Sequence, residues 1–254
     1  MAHVCQRVPN FLHKSVKFTN GIRSDEILKG HRISYWLFVR IPFWLLFLSL
    51  ALVTLLKWVP VRYTPLMLKR AFQFRNEEDY HSEQKWVSLE DIAPELIQAV
   101  IATEDQKFYS HHGFDWDELR SMWQSHQQEG MPLRGCSTLS QQTAKNVFTF
   151  TTPTWGRKVV EAYWTCLIEW IWGKDRIMEV YLNVAETGKG LYGVEAATVS
   201  YYELTAADIS TKQAVALAVC LPHPLQSNPV EPSTYDRAKR IRMMDYLDNK
   251  HSND

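Results

Sequence analysis

Leu96-Ile97-Gln98-Ala99-Val100-Ile101-Ala102, leading into Glu104-Asp105-Gln106-Lys107-Phe108-Tyr109-Ser110-His111-His112-Gly113, decides how this chain is read. Ala93-Pro94-Glu95 opens the stretch with a proline suited to the first turn of a helix, which predicts a helix running to about Asp105. That helix delivers a carboxylate, Glu104, at the end of an apolar run. Apolar surroundings raise a carboxylate pKa and fit it for proton transfer near neutral pH. The competing reading pairs Glu104 with Lys107 or a histidine. Asp105 reads as an orienting group for a turn or a neighbouring base. His111 and His112 read as loop packing or supporting hydrogen bonds before they read as metal ligands.

Downstream lies a second polar cluster, Gly135-Cys136-Ser137-Thr138-Leu139-Ser140-Gln141-Gln142-Thr143-Ala144-Lys145-Asn146. Thr138 and Gln141 have capping-box spacing, so a helix is expected to start at Thr138. Gln142 and Lys145 then fall with Gln141 on neighbouring turns of one face. Hydroxyls, amides and an ammonium at a helix start suit an anionic ligand. A base beside an anion site points to group transfer from a phosphorylated donor.

Lysine plus arginine equals aspartate plus glutamate, 28 each in 254 residues, so no global field points to nucleic acid. Locally the balance breaks: Gly130 to Val160 holds Arg134, Lys145, Arg157 and Lys158 and no acidic residue. Such a window suits a phosphate-bearing partner, with a solvated loop and helix face as the alternative. Glu161 sits at i+4 from Arg157 and i+3 from Lys158. It is read either as a surface salt bridge or as the group that orients two phosphate-binding cations. Two carboxylates from distant segments are also what glycoside hydrolysis needs.

Ile41 to Leu56 is an uncharged apolar run, and as a helix it spans roughly 24 Å. Ile33 to Val39 extends it across Arg40, and Lys57 and Trp58 close it. One helix from residue 33 to 59 is expected to cross a membrane. Residues 1–32 would form a cytoplasmic tail and residues 60–254 an exported domain. A signal peptide fits less well, because the run starts late and no small-x-small site follows; a buried core helix is the other alternative. The lysines and arginines flanking the run give only a weak orientation bias. The four cysteines, Cys5, Cys136, Cys166 and Cys220, show no metal spacing, and no structural disulfide is expected.

Further helices are expected over Leu66 to Phe74, Trp116 to about Gln128 behind an Asp115 cap, and Trp155 to Trp172. Others follow over Lys174 to Ala185, Val194 to Tyr202, Thr211 to Cys220 and Ser233 to Leu247. Gly188, Gly190 and Gly193 mark a tight loop, and strand signals are few. The expected class is mainly α.

Five ordered motifs carry a resemblance. They are Glu104-Asp105-x-x-Phe108-x-x-His111-x-Gly113; Gly135 to Asn146; Arg157-Lys158-x-x-Glu161; Lys174-x-x-Ile177-x-x-x-Tyr181-Leu182-Asn183; and Gly190-x-Tyr192-Gly193-Val-Glu195-Ala-Ala197 with Tyr201-Tyr202. In this order, behind an N-terminal anchor, they resemble glycosyltransferase family 51, the monofunctional biosynthetic peptidoglycan transglycosylases. Two positions depart from the family pattern: Cys136 stands where a second glycine is usual, and Tyr202 where phenylalanine is usual.

The resemblance implies a lysozyme-like helical domain behind a transmembrane helix, with a small membrane-facing jaw from Phe114, Trp116, Leu119, Met122, Trp123 and Met131. No penicillin-binding transpeptidase domain is expected. The implied activity is polymerisation of lipid II into glycan strands, releasing undecaprenyl diphosphate with inversion at the anomeric carbon. Glu104 would be the base and Glu161 the second catalytic carboxylate, holding the cations or helping to bind a metal. Asp105, Ser137, Thr138, Gln141, Gln142, Lys145, Asn146, Arg157 and Lys158 would bind substrate. No resident cofactor is called for, although Mg²⁺ or Mn²⁺ can accompany the diphosphate. The implied partners are lipid II, the growing glycan, the inner membrane and other cell-wall synthases or division proteins. Two rivals remain: a membrane-anchored lytic glycosidase acting on finished glycan, and a non-enzymatic membrane scaffold.

Overall fold

The computed structural model describes residues 36–78, 80–131, 136–150 and 154–251. The expected tail, residues 1–32, lies outside the described residues, as do Arg134 and Gly135. The chain divides into two compact units, residues 1–49 and 50–254.

Trp36–Arg40 forms one π-helical turn that runs into α1 (Ile41–Leu56). Together they make 21 residues, long and apolar enough to cross a membrane. Phe38, Phe43, Trp44 and Leu45 are all exposed. A core helix would hide such residues, so their exposure argues against that alternative. Arg40 stacks its guanidinium 4.3 Å from the Trp36 ring centre, which gives the one charge in this stretch an aromatic partner.

The helix expected to reach Val59 stops at Leu56. Pro60 disfavours the α conformation at Val59, and the chain leaves in a turn. The freed carbonyls are taken up by the second unit's own side chains. Arg176 Nη2 donates to Leu56 O at 2.8 Å and to Val59 O at 2.7 Å, and Lys57 Nζ donates to Ile171 O at 2.7 Å. Trp172 Nε1 donates to Val53 O at 2.7 Å.

The second unit is helical: α2 (Pro65–Gln73), α3 (Pro94–Glu104), α4 (Trp116–Glu129), α5 (Leu139–Phe148) and α6 (Trp155–Ile171), then α7 (Lys174–Val184), α8 (Val194–Tyr202), α9 (Thr211–Cys220) and α10 (Thr234–His251). Its core is built by α3, α5, α7 and α9. Leu96, Val100, Leu139, Ile177, Met178, Leu182 and Leu217 are fully buried. Each such side chain contributes about 1.5–3 kcal/mol on leaving water. Ala214 and Ala218 keep α9 narrow enough to lie close to α3. α10 runs past the expected end at Leu247, into polar residues with no apolar period to reveal them.

A small sheet that the sequence reading does not anticipate ties the loops together. β1 (Glu83–Gln84) pairs in parallel with β3 (Leu191–Tyr192), which pairs antiparallel with β2 (Glu186–Gly188). The glycine-marked loop is therefore a hairpin. Gly193 holds φ +81, and a Cβ there would stand 2.6 Å from Asn183 O, so only glycine fits. Buried Asn183 accepts from Val87 N and donates to Val87 O and Glu179 O, all at 2.8 Å. Arg70 clamps Glu186 through two hydrogen bonds of 2.8 Å. These contacts anchor the segments preceding α3 to the end of α7.

Candidate active site

The site forms where the C-terminus of α3 meets the N-terminus of α5. Asp105 caps α3, and its backbone N–H still reaches Ile101 O. Its Oδ2 accepts from Leu139 N, the first residue of α5, at 2.9 Å, and from His111 Nε2 at 2.9 Å. A carboxylate at a helix start satisfies orphan N–H groups and opposes the positive dipole end. His111 Nδ1 accepts from Gly113 N at 3.1 Å, which leaves the ring proton on Nε2, facing Asp105. Thr138 Oγ1 donates to Gly113 O at 2.7 Å and accepts from Gln141 N, while Gln141 Oε1 accepts from Thr138 N. The expected capping box is present.

This frame sets Gln142 against Glu104. Gln142 Nε2 donates to Glu104 Oε2 at 2.9 Å. Gln142 Oε1 is 3.5 Å from the buried Tyr181 hydroxyl, which orients the amide. Glu104 Oε1 is buried and has no hydrogen-bond partner among the described residues. Burial raises the Glu104 pKa above the usual carboxylate value, and the Asp105 charge adds to this. The Gln142 hydrogen bond and the charges of Lys239 and Lys145 oppose it. A carboxylate with one oxygen fixed and the other bare is arranged to receive a proton.

The basic cluster lies on α5 and α6. Thr154 caps α6 by accepting from Arg157 N at 3.3 Å, so Arg157 and Lys158 stand in the first turn, where the helix dipole adds positive potential. Glu161 is 2% exposed, and its two oxygens accept separately from Arg157 Nη1 and Lys158 Nζ. Lys158 Nζ also reaches Ser137 Oγ at 3.2 Å. Lys145 has no ion-pair partner within 4.0 Å among the described residues. Burial lowers its pKa, the nearby Glu161 charge works against that, and Arg157 and Lys158 lower it further.

The residues expected at the site therefore fall into two groups. Glu104, Gln142, Ser137, Lys145, Arg157, Lys158 and Glu161 are linked by contact or by charge. Asp105, Thr138 and Gln141 are buried with polar atoms occupied by the frame, and Asn146 is buried beyond Lys145. Glu161 spends both oxygens on cations. His111 sits in the frame, whose loop is further held by Lys174, bonded to Glu169 at 2.7 Å and 4.6 Å from the Phe108 ring centre.

Two contributors escape the sequence reading. Tyr181 stands in the fourth motif with no role attached to it, and Lys239 lies on α10, where no spacing ties it to Glu104. Among the described residues no group of three or more His, Cys, Asp or Glu side chains is placed to hold a metal ion. Cys136, Cys166 and Cys220 are free thiols, and Cys5 lies outside the described residues.

α4, the expected jaw, has no buried residue. Its ends hold it: Asp115 Oδ1 accepts from Glu118 N at 2.9 Å, and Gly130 takes the left-handed cap with φ 65. Trp116, Trp123 and Met131 are exposed, while Phe114, Leu119 and Met122 are half-buried.

A buried carboxylate with a raised pKa at a helix end, within reach of the Lys145 charge, is an arrangement suited to group transfer. The family model described as Transglycosylase matches residues 70–248. The chain is 45% identical over 202 residues to a biosynthetic peptidoglycan transglycosylase of Stutzerimonas stutzeri (strain A1501), covering 78% of this chain and 83% of that one. It is 45% identical over 190 residues to the protein of the same name from Rhodospirillum centenum (strain ATCC 51521 / SW), covering 75% and 80%. With that of Pasteurella multocida (strain Pm70) it shares 41% over 211 residues, covering 81% and 85%. The chain belongs to the transglycosylase family and is a glycosyltransferase.

Proposed function

We propose that this chain is a peptidoglycan glycosyltransferase that polymerises lipid II, with its apolar helix in the bacterial inner membrane and its catalytic unit on the periplasmic side. The carrying observation is Glu104: one carboxylate oxygen held by Gln142, the other buried and bare, and a raised pKa. The acceptor's 4-hydroxyl gives its proton to Glu104 as its oxygen attacks the donor's anomeric carbon. The new C–O bond forms as the bond from that carbon to the diphosphate breaks, and attack from the opposite face inverts the centre.

The leaving group is undecaprenyl diphosphate. Lys145, Arg157 and Lys158 stabilise the charge it gains, and Glu161 fixes the last two in direction. Gln142 and Ser137 supply hydrogen bonds at the same face. Mg²⁺ or Mn²⁺ belongs to this scheme as a companion of the diphosphate substrate. Other cell-wall synthases and division proteins are the partners that fit a membrane-anchored polymerase.

The test uses purified full-length protein with labelled lipid II. Lysozyme-sensitive polymer is expected from the wild type. Glu104→Gln keeps shape and hydrogen bonding but cannot take the proton, so a loss of about 10²–10⁴-fold is expected. Release of soluble muropeptides from finished glycan, without polymer, would replace this reading with a lytic one.

A further inference from the structure

At the start of α3, the end opposite Glu104, a cleft of about 540 Å³ opens. One wall is basic. It carries Arg62 and Lys85, and Gln84 Nε2 holds their two segments together by donating to Val61 O at 3.0 Å. The other wall is acidic. It carries Asp91 and Glu195 beside Thr205 and Ala207, and Ala93 N joins its segments by donating to Ala206 O at 2.9 Å. Trp86 and Val87 line the cleft between the two.

Among the described residues no ion pair neutralises Arg62 or Lys85, and none joins the two walls. Asp91 Oδ2 accepts from Ser88 Oγ at 2.5 Å, and Glu195 Oε2 accepts from Ala206 N at 2.7 Å. Each carboxylate keeps its other oxygen for a ligand. Opposite charges held apart across one cleft suit a molecule that carries both signs. Trp86 is not the seat for its cation. Arg176 already lies 5.1 Å from the Trp86 ring centre, and its charge repels a second cation there. An ammonium therefore belongs with Asp91 and Glu195, and an anion with Arg62 and Lys85.

The cleft adjoins the end of the apolar helix. Arg62 lines it and also lines the surface formed by Leu56 and Val59. Arg176 holds Leu56 O and Val59 O while it stacks on Trp86, so one side chain sets the cleft against the last turn of α1. Leu55, Trp58, Val59 and Tyr63 are exposed beside it. The order is apolar surface, then cations, then carboxylates. A phospholipid has the matching order of acyl chain, phosphate and ammonium. We infer that Arg62, Lys85, Asp91 and Glu195 form a binding site for the headgroup of a zwitterionic phospholipid ending in a primary ammonium, as in phosphatidylethanolamine. Arg62 and Lys85 take the phosphate, Asp91 and Glu195 take the ammonium, and the acyl chains lie along Leu55, Trp58 and Val59. The inference rests on the proposed placement of α1 in a bilayer, and not on the chemistry at Glu104.

Two measurements test it. In the first, full-length wild-type protein in mixed micelles meets equal amounts of phosphatidylethanolamine, its N-methyl and N,N-dimethyl forms, phosphatidylcholine and phosphatidylglycerol. Native mass spectrometry reads which lipid stays bound. Retention should fall along the methyl series as N–H donors are lost, and phosphatidylglycerol, which has the phosphate and no ammonium, should be retained less than phosphatidylethanolamine. Equal retention of all five, or a preference for phosphatidylglycerol, would overturn the inference. So would displacement of the bound lipid by a soluble muramyl pentapeptide, which would give the cleft to the peptide of the substrate.

In the second, the two walls are changed separately. Asp91→Asn with Glu195→Gln keeps an acceptor oxygen for Ser88 and for Ala206 N. It should lower phosphatidylethanolamine retention about tenfold, the loss of charge-assisted hydrogen bonds at a partly exposed site. Its phosphatidylglycerol retention should be no lower than in wild type. Arg62→Ala with Lys85→Ala should lower both lipids together. Wild-type phosphatidylethanolamine retention in both double variants overturns the inference. If a variant fails to fold, the methyl series on the wild type still decides. Release of the protein from membranes by alkaline carbonate would instead overturn the placement of α1, and the micelle measurement would still decide the cleft.

Discussion

Glu161→Gln separates holding cations in place from moving protons. The carboxylate is 2% exposed and gives one oxygen to Arg157 and one to Lys158. Hydrogen bonds to charged groups contribute about 1.5–3 kcal/mol each. Glutamine keeps the volume and one acceptor oxygen, so one contact survives in weakened form and the other meets an amide NH₂. Arg157 and Lys158 are 21% and 41% exposed, so water recovers part of the loss.

A net destabilisation of about 2 kcal/mol follows, a fall in Tm of about 4–8 °C for a domain of this size. The cluster of Lys145, Arg157 and Lys158 meanwhile loses its one internal anion. Attraction for a diphosphate is kept, but its aim is lost. The expected signature with labelled lipid II is a kcat lower by about 10²-fold or more, with KM no higher than wild type. Wild-type kcat alongside the lowered Tm would refute the reasoning and reduce Glu161 to a helix staple. A raised KM with unchanged kcat would refute it too, since Glu161 would then act in ground-state binding.

The remaining predictions concern the base, the frame and the hairpin. Activity should rise with pH through the Glu104 pKa, above the ordinary 4.5, and fall through that of Lys145, below the ordinary 10.5; Glu104→Gln should remove the acidic limb. Because the folded state raises the Glu104 pKa, its contribution to stability is whole below about 4.5 and is lost as pH rises through the raised value. Glu104→Gln should therefore gain in Tm relative to wild type between pH 4 and pH 7, read by thermal scans at the two values. Asp105→Asn can keep one oxygen facing both Leu139 N and His111, and should cost only about 1 kcal/mol in denaturant titrations. Asp105→Ala removes both contacts and should cost more, with polymerisation falling as Gln142 shifts. Gly193→Ala places a methyl group against Asn183 O at a positive φ, and should destabilise the fold by about 2 kcal/mol or more.

The parts of the site written in short-range pattern were legible in the sequence. Thr138 and Gln141 announced the start of α5 because a capping box is a four-residue signal, and Asp115, as a short-range cap, announced α4. Arg157, Lys158 and Glu161 were readable as a unit because one helix turn joins them. What escaped depends on distant chain. Asp105 was readable as an orienting group, but its partner was not, because only folding brings Leu139 N, 34 residues on, to its carboxylate. Tyr181 hides among core residues until Gln142 is set beside its hydroxyl. The small sheet has strands of two or three residues, too short for any alternation to show, and its pairing of Glu83 with Leu191 is a tertiary event. The end of the apolar helix was misjudged by three residues, because hydropathy continues through Trp58 and Val59 while the backbone answers to Pro60 and Arg176.

Those fastenings of Val53, Leu56, Lys57 and Val59 to Trp172, Arg176 and Ile171 leave no slack between the last turn of the apolar helix and the fold. Residues 53–59 therefore move with α6 and α7 and not as a loose linker. Arg176→Ala frees Leu56 O and Val59 O together, so limited proteolysis should then reach the peptide bonds after Leu56 before any other part of the second unit is cut.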